Sequence, residues 1–200
     1  MQNLDHASGE CLLERSRCGD EAAFQRLYER HRDATFRFAY MMLGSAEKAE
    51  DVTHDCFVSL IQNSKKFDPS RASLRMYLYS ATRNLAAKSF CDTASEVALD
   101  DLKAARVSGT SEQPLRNLLH QELSGEIQKA ISQMPPLQRE VVVLFEYQEQ
   151  SLTEIAAIVG ADLCTVKSRL HRARERLRRE LAALLDGDAH RGREESNHER

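Results

Sequence analysis

The chain has no C-x-x-C pair, no long apolar run and no strong net charge. Each absence removes a class of protein. Five cysteines (Cys11, Cys18, Cys56, Cys91, Cys164) form an odd set without metal-ligand spacing. That pattern argues against a zinc site or a disulfide framework. The thiols are expected to be free and to act as small apolar residues. No apolar stretch approaches the roughly 18–20 residues that a membrane span needs. The N-terminus, MQNLDHASGE, lacks the basic start and apolar core of a signal peptide, so cytoplasmic residence is expected. No β-hairpin signal and no βαβ alternation occurs, which makes the expected fold class all-α. Nothing supplies a nucleophile motif, a phosphate loop or a complete metal set. Neither catalytic residues nor a cofactor or metal is expected.

The 28 Lys and Arg against 31 Asp and Glu, a net charge of −3, do not describe a globally basic nucleic-acid binder. The distribution says more than the sum. Positive charge concentrates after residue 165, where Lys167, Ser168, Arg169, His171, Arg172, Arg174, Arg176, Arg178 and Arg179 fill one helix face. Leu163, Val166, Leu170, Ala173, Leu177, Leu181 and Leu184 recur every three or four residues and define the opposite, buried face. A shorter helix precedes it. Ser151-Leu152-Thr153-Glu154 reads as a capping box, with Leu152, Ile155, Ala156 and Val159 as an apolar stripe. Gly160 ends that helix and Asp162 can cap the next. A capped helix, a glycine turn and a basic helix form a helix-turn-helix, whose second helix enters the DNA major groove. A solvated basic face is the competing reading, and the ordered punctuation favours DNA.

Two apolar-periodic blocks are expected. The first, 10–90, starts with a short helix around Glu10 to Arg17. Asp20 then caps a long helix with Phe24, Leu27, Tyr28, Phe38, Met41 and Met42 on one side. Gly44 and Ser45 break it. The next helix runs to about Gln62, with Ala49, Val52, Cys56, Leu60 and Ile61 facing inward. After the loop NSKKFDPSR, a last helix spans roughly Ala72 to Ser89. Residues 91–117 read as a flexible linker. The second block, 118–185, has Leu119, Leu123, Ile127, Ala130 and Ile131 on one helix. Leu137, Val141, Leu144 and Phe145 lie on another, and the helix-turn-helix follows. A polar tail, 186–200, reads as disordered.

These residues resemble a known family. The run PPLQREV…SLTEIAAIVG…TVKSRLHRARERLR is similar to region 4 of the sigma-70 family of RNA polymerase sigma factors, of the small extracytoplasmic-function (ECF) type. DEAAFQRLYERHRD (20–33), AEDVTHDCFVSL (49–60) and FDPSRASLRMYLYSATRNLA (67–86) resemble region 2. The resemblance implies two helical domains on a flexible linker and an initiation factor that is not an enzyme. It implies binding of core RNA polymerase through the β′ clamp coiled coil and the β flap, and of promoter DNA at the −35 and −10 elements. It also brings an anti-sigma factor into view as a partner.

Residue by residue, the polymerase-binding helix corresponds to 47–61, with Asp51, His54 and Asp55 exposed and Phe57 and Ile61 as apolar neighbours. The resemblance assigns the −10 element to Lys65, Lys66, Arg71, Arg75, Tyr77, Arg83, Asn84 and Lys88. It assigns the −35 element to Lys167, Ser168, His171 and Arg172, with Arg169, Arg174 and Thr153 on the backbone. His54 departs from the glutamine common at its position, and Tyr77 from the common tryptophan. A stand-alone helix-turn-helix regulator is the alternative function. An all-α enzyme built on Asp51, His54 and Asp55 ranks last, because one D-x-x-H pair lacks the second copy of a helical di-metal site.

Overall fold

The structure, a computed structural model, describes residues 7–63, 67–96 and 125–195, of which 90–96 and 183–195 are described by backbone alone. Among the described residues the chain forms eight α-helices and no strand. The first four are α1 (Gly9–Arg17), α2 (Glu21–Leu43), α3 (Ala46–Gln62) and α4 (Leu74–Glu96). They are followed by α5 (125–132), α6 (Pro136–Glu146), α7 (Leu152–Val159) and α8 (Leu163–Glu195).

Local chemistry sets the helix ends. Asp20 accepts from the amide of Ala23 at the start of α2, and Ser45 from that of Lys48 at the start of α3. Between them Gly44 adopts φ 72°, a left-handed conformation that costs glycine little. Pro136 opens α6 from the first turn, where its missing N–H is no loss. The Val141–Leu144 run is helical and fully buried.

Ser151 and Glu154 form the capping box at α7, each satisfying the other's backbone N–H. Hydrogen bonds from the Ser151 side chain and backbone hold the Glu154 carboxyl below its ordinary value of 4.5. The folded pKa is the depressed one. Its contribution is therefore complete above the ordinary value and fades as pH falls through the lowered one. Ser151→Ala should cost about 1 kcal/mol. The loss should appear as a lower urea midpoint at pH 7, and should shrink below pH 4.

Helices α1–α4 enclose a core of Leu12, Leu13, Leu27, Phe57, Leu60, Phe67, Leu74 and Leu78. Tyr28 meets the Phe57 ring edge-on at 4.8 Å. A second core does not respect the expected division. Phe38, Met41, Met42, Tyr79 and Ala86 of the first block share one apolar cluster with Ile131, Met134, Val141–Leu144, Ile155, Val166 and Ala173 of the second. The two blocks are docked.

Several expectations need correction. Ile61 and Leu163 are exposed, at 37% and 41%, where an inward face was expected. Leu137, at 49%, also faces solvent. Phe57 is 2% exposed, so it is a core residue and not a surface contact. Helix α4 continues to Glu96, past the expected start of the linker at 91. Helix α8 continues to Glu195, through most of the segment expected to be disordered. The expected linker beyond 96, Leu118, Leu119 and Leu123 lie outside the described residues. Of Cys11, Cys18, Cys56 and Cys164, only Cys56 is buried. Burial pushes its thiol up to about 11, while Cys11, Cys18 and Cys164 are exposed.

Candidate protein and nucleic-acid interfaces

Helix α3 buries Ala49, Val52, Cys56, Phe57 and Leu60 against its neighbours. Its other side carries Glu47, Glu50, Asp51, His54, Asp55, Val58 and Ile61, all exposed. Positions three and four apart lie on one helix face, so these residues form a single stripe. It is acidic at the N-terminal end and apolar at the other. Solvation of an acidic face accounts for the carboxylates, but not for two large aliphatic side chains beside them.

The helix-turn-helix is built by Gly160 and Asp162. Gly160, at φ 64°, ends α7 in the left-handed region. Asp162 accepts from the Thr165 amide at 2.8 Å and from its hydroxyl at 2.6 Å, which fixes the first turn of α8. Val166, Leu170 and Ala173 then seat α8 on α6 and α7. Lys167, Ser168, His171 and Arg172 project into solvent from successive turns, and Thr153 is exposed on α7. Among the described residues, Lys167 and Arg172 take part in no ion pair, so both are available to phosphate.

Two arginines of this helix are already engaged. Arg169 pairs with Glu140 at 3.3 Å. Arg174 pairs with Glu146 at 2.6 Å and lies over the Phe145 ring at 4.9 Å. Both were expected to contact the DNA backbone; Arg169 is part-buried in its pair with α6, while Arg174 keeps an exposed guanidinium in its own. Their difference from Arg172 is measurable. Arg172→Ala should lower the salt slope of DNA binding by about one unit. Arg169→Ala should change the slope less and lower stability more.

The residues of α4 and the loop before it separate in the same way. Arg71, Arg75, Asn84 and Lys88 are exposed. Tyr77 is half-buried, its ring edge-on to Phe67 at 5.4 Å, and presents only part of its surface. Arg83 donates through Nε to Glu140 at 2.6 Å. Lys65 and Lys66 lie outside the described residues. Asp68 accepts from the Ser70 amide and hydroxyl, which shapes the loop leading into α4.

Sequence reasoning missed Glu140. Its side chain is 4% exposed, and it receives both Arg83 and Arg169. Burial pushes its carboxyl up, against the pull of the two guanidinium groups. A signal was present: Glu140 stands four residues before Leu144 and adjoins Val141–Val143, so it lies on a helix with no polar side to spare.

Comparison with known proteins completes the picture. Sigma-70 region 2 matches residues 27–95, and Sigma-70 region 4 matches residues 124–177. The chain is 32% identical to the ECF RNA polymerase sigma factor SigW of Bacillus subtilis over 178 residues, 83% of this chain and 92% of SigW. The chain belongs to the ECF sigma factors of the sigma-70 family. A second relative of this family, SigE of Mycolicibacterium smegmatis, is 30% identical over 91% of this chain and 71% of its own length.

The fold of this ECF sigma factor is shared by solved structures. Sigma factor RpoE, in complex with the anti-sigma factor NepR from Bartonella quintana, superposes with a TM-score of 0.66 at 24% identity, over 80% of this chain and 96% of that one. CnrH, in complex with the cytosolic domain of CnrY, gives 0.64 at 24% identity, over 93% and 99%. Among the described residues no helix is long and apolar enough to cross a membrane.

Proposed function

We propose a division of labour for this alternative sigma factor, which directs RNA polymerase to promoters. The α3 stripe of Asp51, His54, Asp55 and Ile61, extended by Val58, docks on core polymerase. Lys167, Ser168, His171 and Arg172 of α8 meet the −35 element, with Thr153 on the flanking phosphates. Arg71, Arg75, Tyr77, Asn84 and Lys88 of α4 and its loop meet the −10 element. The observation that carries this reading is the α3 stripe, where carboxylates and large aliphatic groups stand together in solvent.

The chemistry fits each role. Lysine and arginine release counterions from phosphate and position the chain, while short polar side chains near the start of a helix read base edges. A flat ring and an amide suit an unstacked base and its edge. The protein works in the cytoplasm as a binding factor and not as an enzyme. The β′ clamp coiled coil is the partner of α3, and the β flap that of the second block. The anti-sigma proteins bound to RpoE and CnrH in their solved complexes suggest a partner of the same kind here.

Gel filtration of the full chain with core polymerase tests the first role. Co-elution is expected, and it should be lost when Asp51 and Asp55 are both replaced. Co-elution unchanged by that replacement would move the interface elsewhere.

A further inference from the structure

The start of α4 is held from outside its own helix. Ser73 caps it locally, its hydroxyl accepting from the Met76 amide at 3.3 Å. The Leu74 amide belongs to the first turn, for which a helix supplies no carbonyl of its own. The Glu10 carboxylate, on α1, lies against that amide. A carboxylate there also meets the positive end of the helix dipole.

Three further contacts keep α1 in that place. Arg30 of α2 donates to the Ala7 carbonyl at 2.7 Å, which anchors the chain just before α1. Ser8 caps α1 by accepting from the Cys11 amide at 3.2 Å. Gly9 brings the α1 backbone onto α4. A Cβ at its position would stand 3.1 Å from Leu74 Cδ2 and 3.5 Å from His31 Nε2. Leu74 is buried in one core with Leu12 and Leu13 of α1. The Glu10 carboxyl is held below its ordinary range, first by its own backbone N–H. The Ser8 hydroxyl, the Leu74 amide and His31 add to this, against the opposing effect of burial.

We infer that Glu10 is a positioning residue for promoter recognition, which fixes the first turn of α4 from α1 and so places Arg71, Arg75 and Tyr77 for the −10 element. The inference rests on the assignment of α4 and its loop to that element. Its warrant is where the constraint falls. Arg75 and Tyr77 follow Leu74 within one turn, and Arg71 stands three residues before it. Asp68 shapes the far end of the same loop through Ser70, and Phe67 holds the Tyr77 ring from one side. Helix ends fray where their amides are unmet. Fraying at Leu74 would blur the side chains that must match a separated strand, and would leave α3 and the recognition helix in place. Binding groups work only when their supports hold them to within about 0.5 Å.

The test uses the full chain, core RNA polymerase and a promoter selected by their complex, with 2-aminopurine in the −10 element. Its fluorescence rises as the base unstacks, so it reports opening. Glu10→Ala should slow opening roughly fivefold, the effect of one lost cap. Glu10→Gln keeps an acceptor oxygen and should recover most of that loss. Gly9→Val keeps Glu10 but pushes α1 off Leu74, and should slow opening as well. Affinity for core polymerase and for a −35 duplex should hold in all three, which separates positioning from a general loss of fold. Coupling gives the sharper readout. Glu10→Ala and Tyr77→Ala combined should cost less than the product of their separate losses, because both act through one turn. Unchanged opening in Glu10→Ala, an equal loss of core or −35 affinity, or losses that multiply would overturn the role of Glu10. If opening stays normal when Arg71, Arg75 and Tyr77 are all replaced, the −10 assignment itself fails.

Discussion

Asp51→Ala with Asp55→Ala lowers the affinity of the full chain for core RNA polymerase by about 30-fold or more, the loss that removal of an interface hot spot brings. Both side chains stand in solvent on α3, beside Val58 and Ile61. Neither supports the fold, because the residues that seat α3 are Ala49, Val52, Cys56, Phe57 and Leu60. The thermal midpoint should therefore hold within a degree or two, as expected for surface substitutions away from structural features. Affinity for a −35 duplex should stay the same, since the recognition helix belongs to the other block. Titration calorimetry with core polymerase and fluorescence anisotropy with DNA make both measurements. Equal losses in the two would show that α3 acts on the fold and not on a partner.

Arg139→Leu destabilises the chain by about 3 kcal/mol, chiefly by orphaning buried carbonyl groups. The Arg139 guanidinium donates to the carbonyls of Met42, Ser132 and Met134. Two of these lie at the turn between α5 and α6, and the third ends α2 in the other block. Leucine fills much of the volume and supplies no donor. The residue is 8% exposed, so water cannot readily replace the lost bonds. Because Arg139 ties the blocks together, its loss should also split one urea transition into two. Far-ultraviolet circular dichroism and tyrosine fluorescence, followed through the same urea series, would then cease to coincide. A small shift with coincident curves would contradict the role assigned to this side chain.

Local structure was legible because it rests on local chemistry. Asp20, Ser45, Ser151, Gly160 and Asp162 each act on backbone groups within a few residues, and each acts as its sequence position implied. The helix through Leu137, Val141, Leu144 and Phe145 was legible because these apolar residues repeat at helical spacing. The exposed side of α3 was legible from its charges. Phe57 was not, since α3 packs against both α2 and α4, and a helix with two neighbours buries a wider arc than one. Ile61 and Leu163 were misplaced because periodicity continues past the point where the covering partner ends.

The largest gap concerns contacts between distant residues. The family resemblance assigned Arg83 and Arg169 to DNA, and nothing in the sequence marks a partner for either within the chain. Only the folded chain brings Glu140 to both, across 57 and 29 positions of sequence. The same holds for Tyr79 with Gln148, 69 positions apart. Two periodic blocks with a poor linker between them carry no local signal of docking. The docked state appears only where Met41, Met42 and Tyr79 find Val141 and Ile155.

Run-off transcription with purified core RNA polymerase and the full chain tests the central claim most directly. Promoters are first selected from a random library by the complex of chain and polymerase, and then transcribed. The account predicts transcripts of defined length only when chain and core are both present, with two preferred elements upstream of the start. Substitution of Lys167 or Arg172 should weaken use of the upstream element, and substitution of Tyr77 or Asn84 use of the downstream one. A chain that binds DNA but neither joins core polymerase nor starts a transcript would contradict the account.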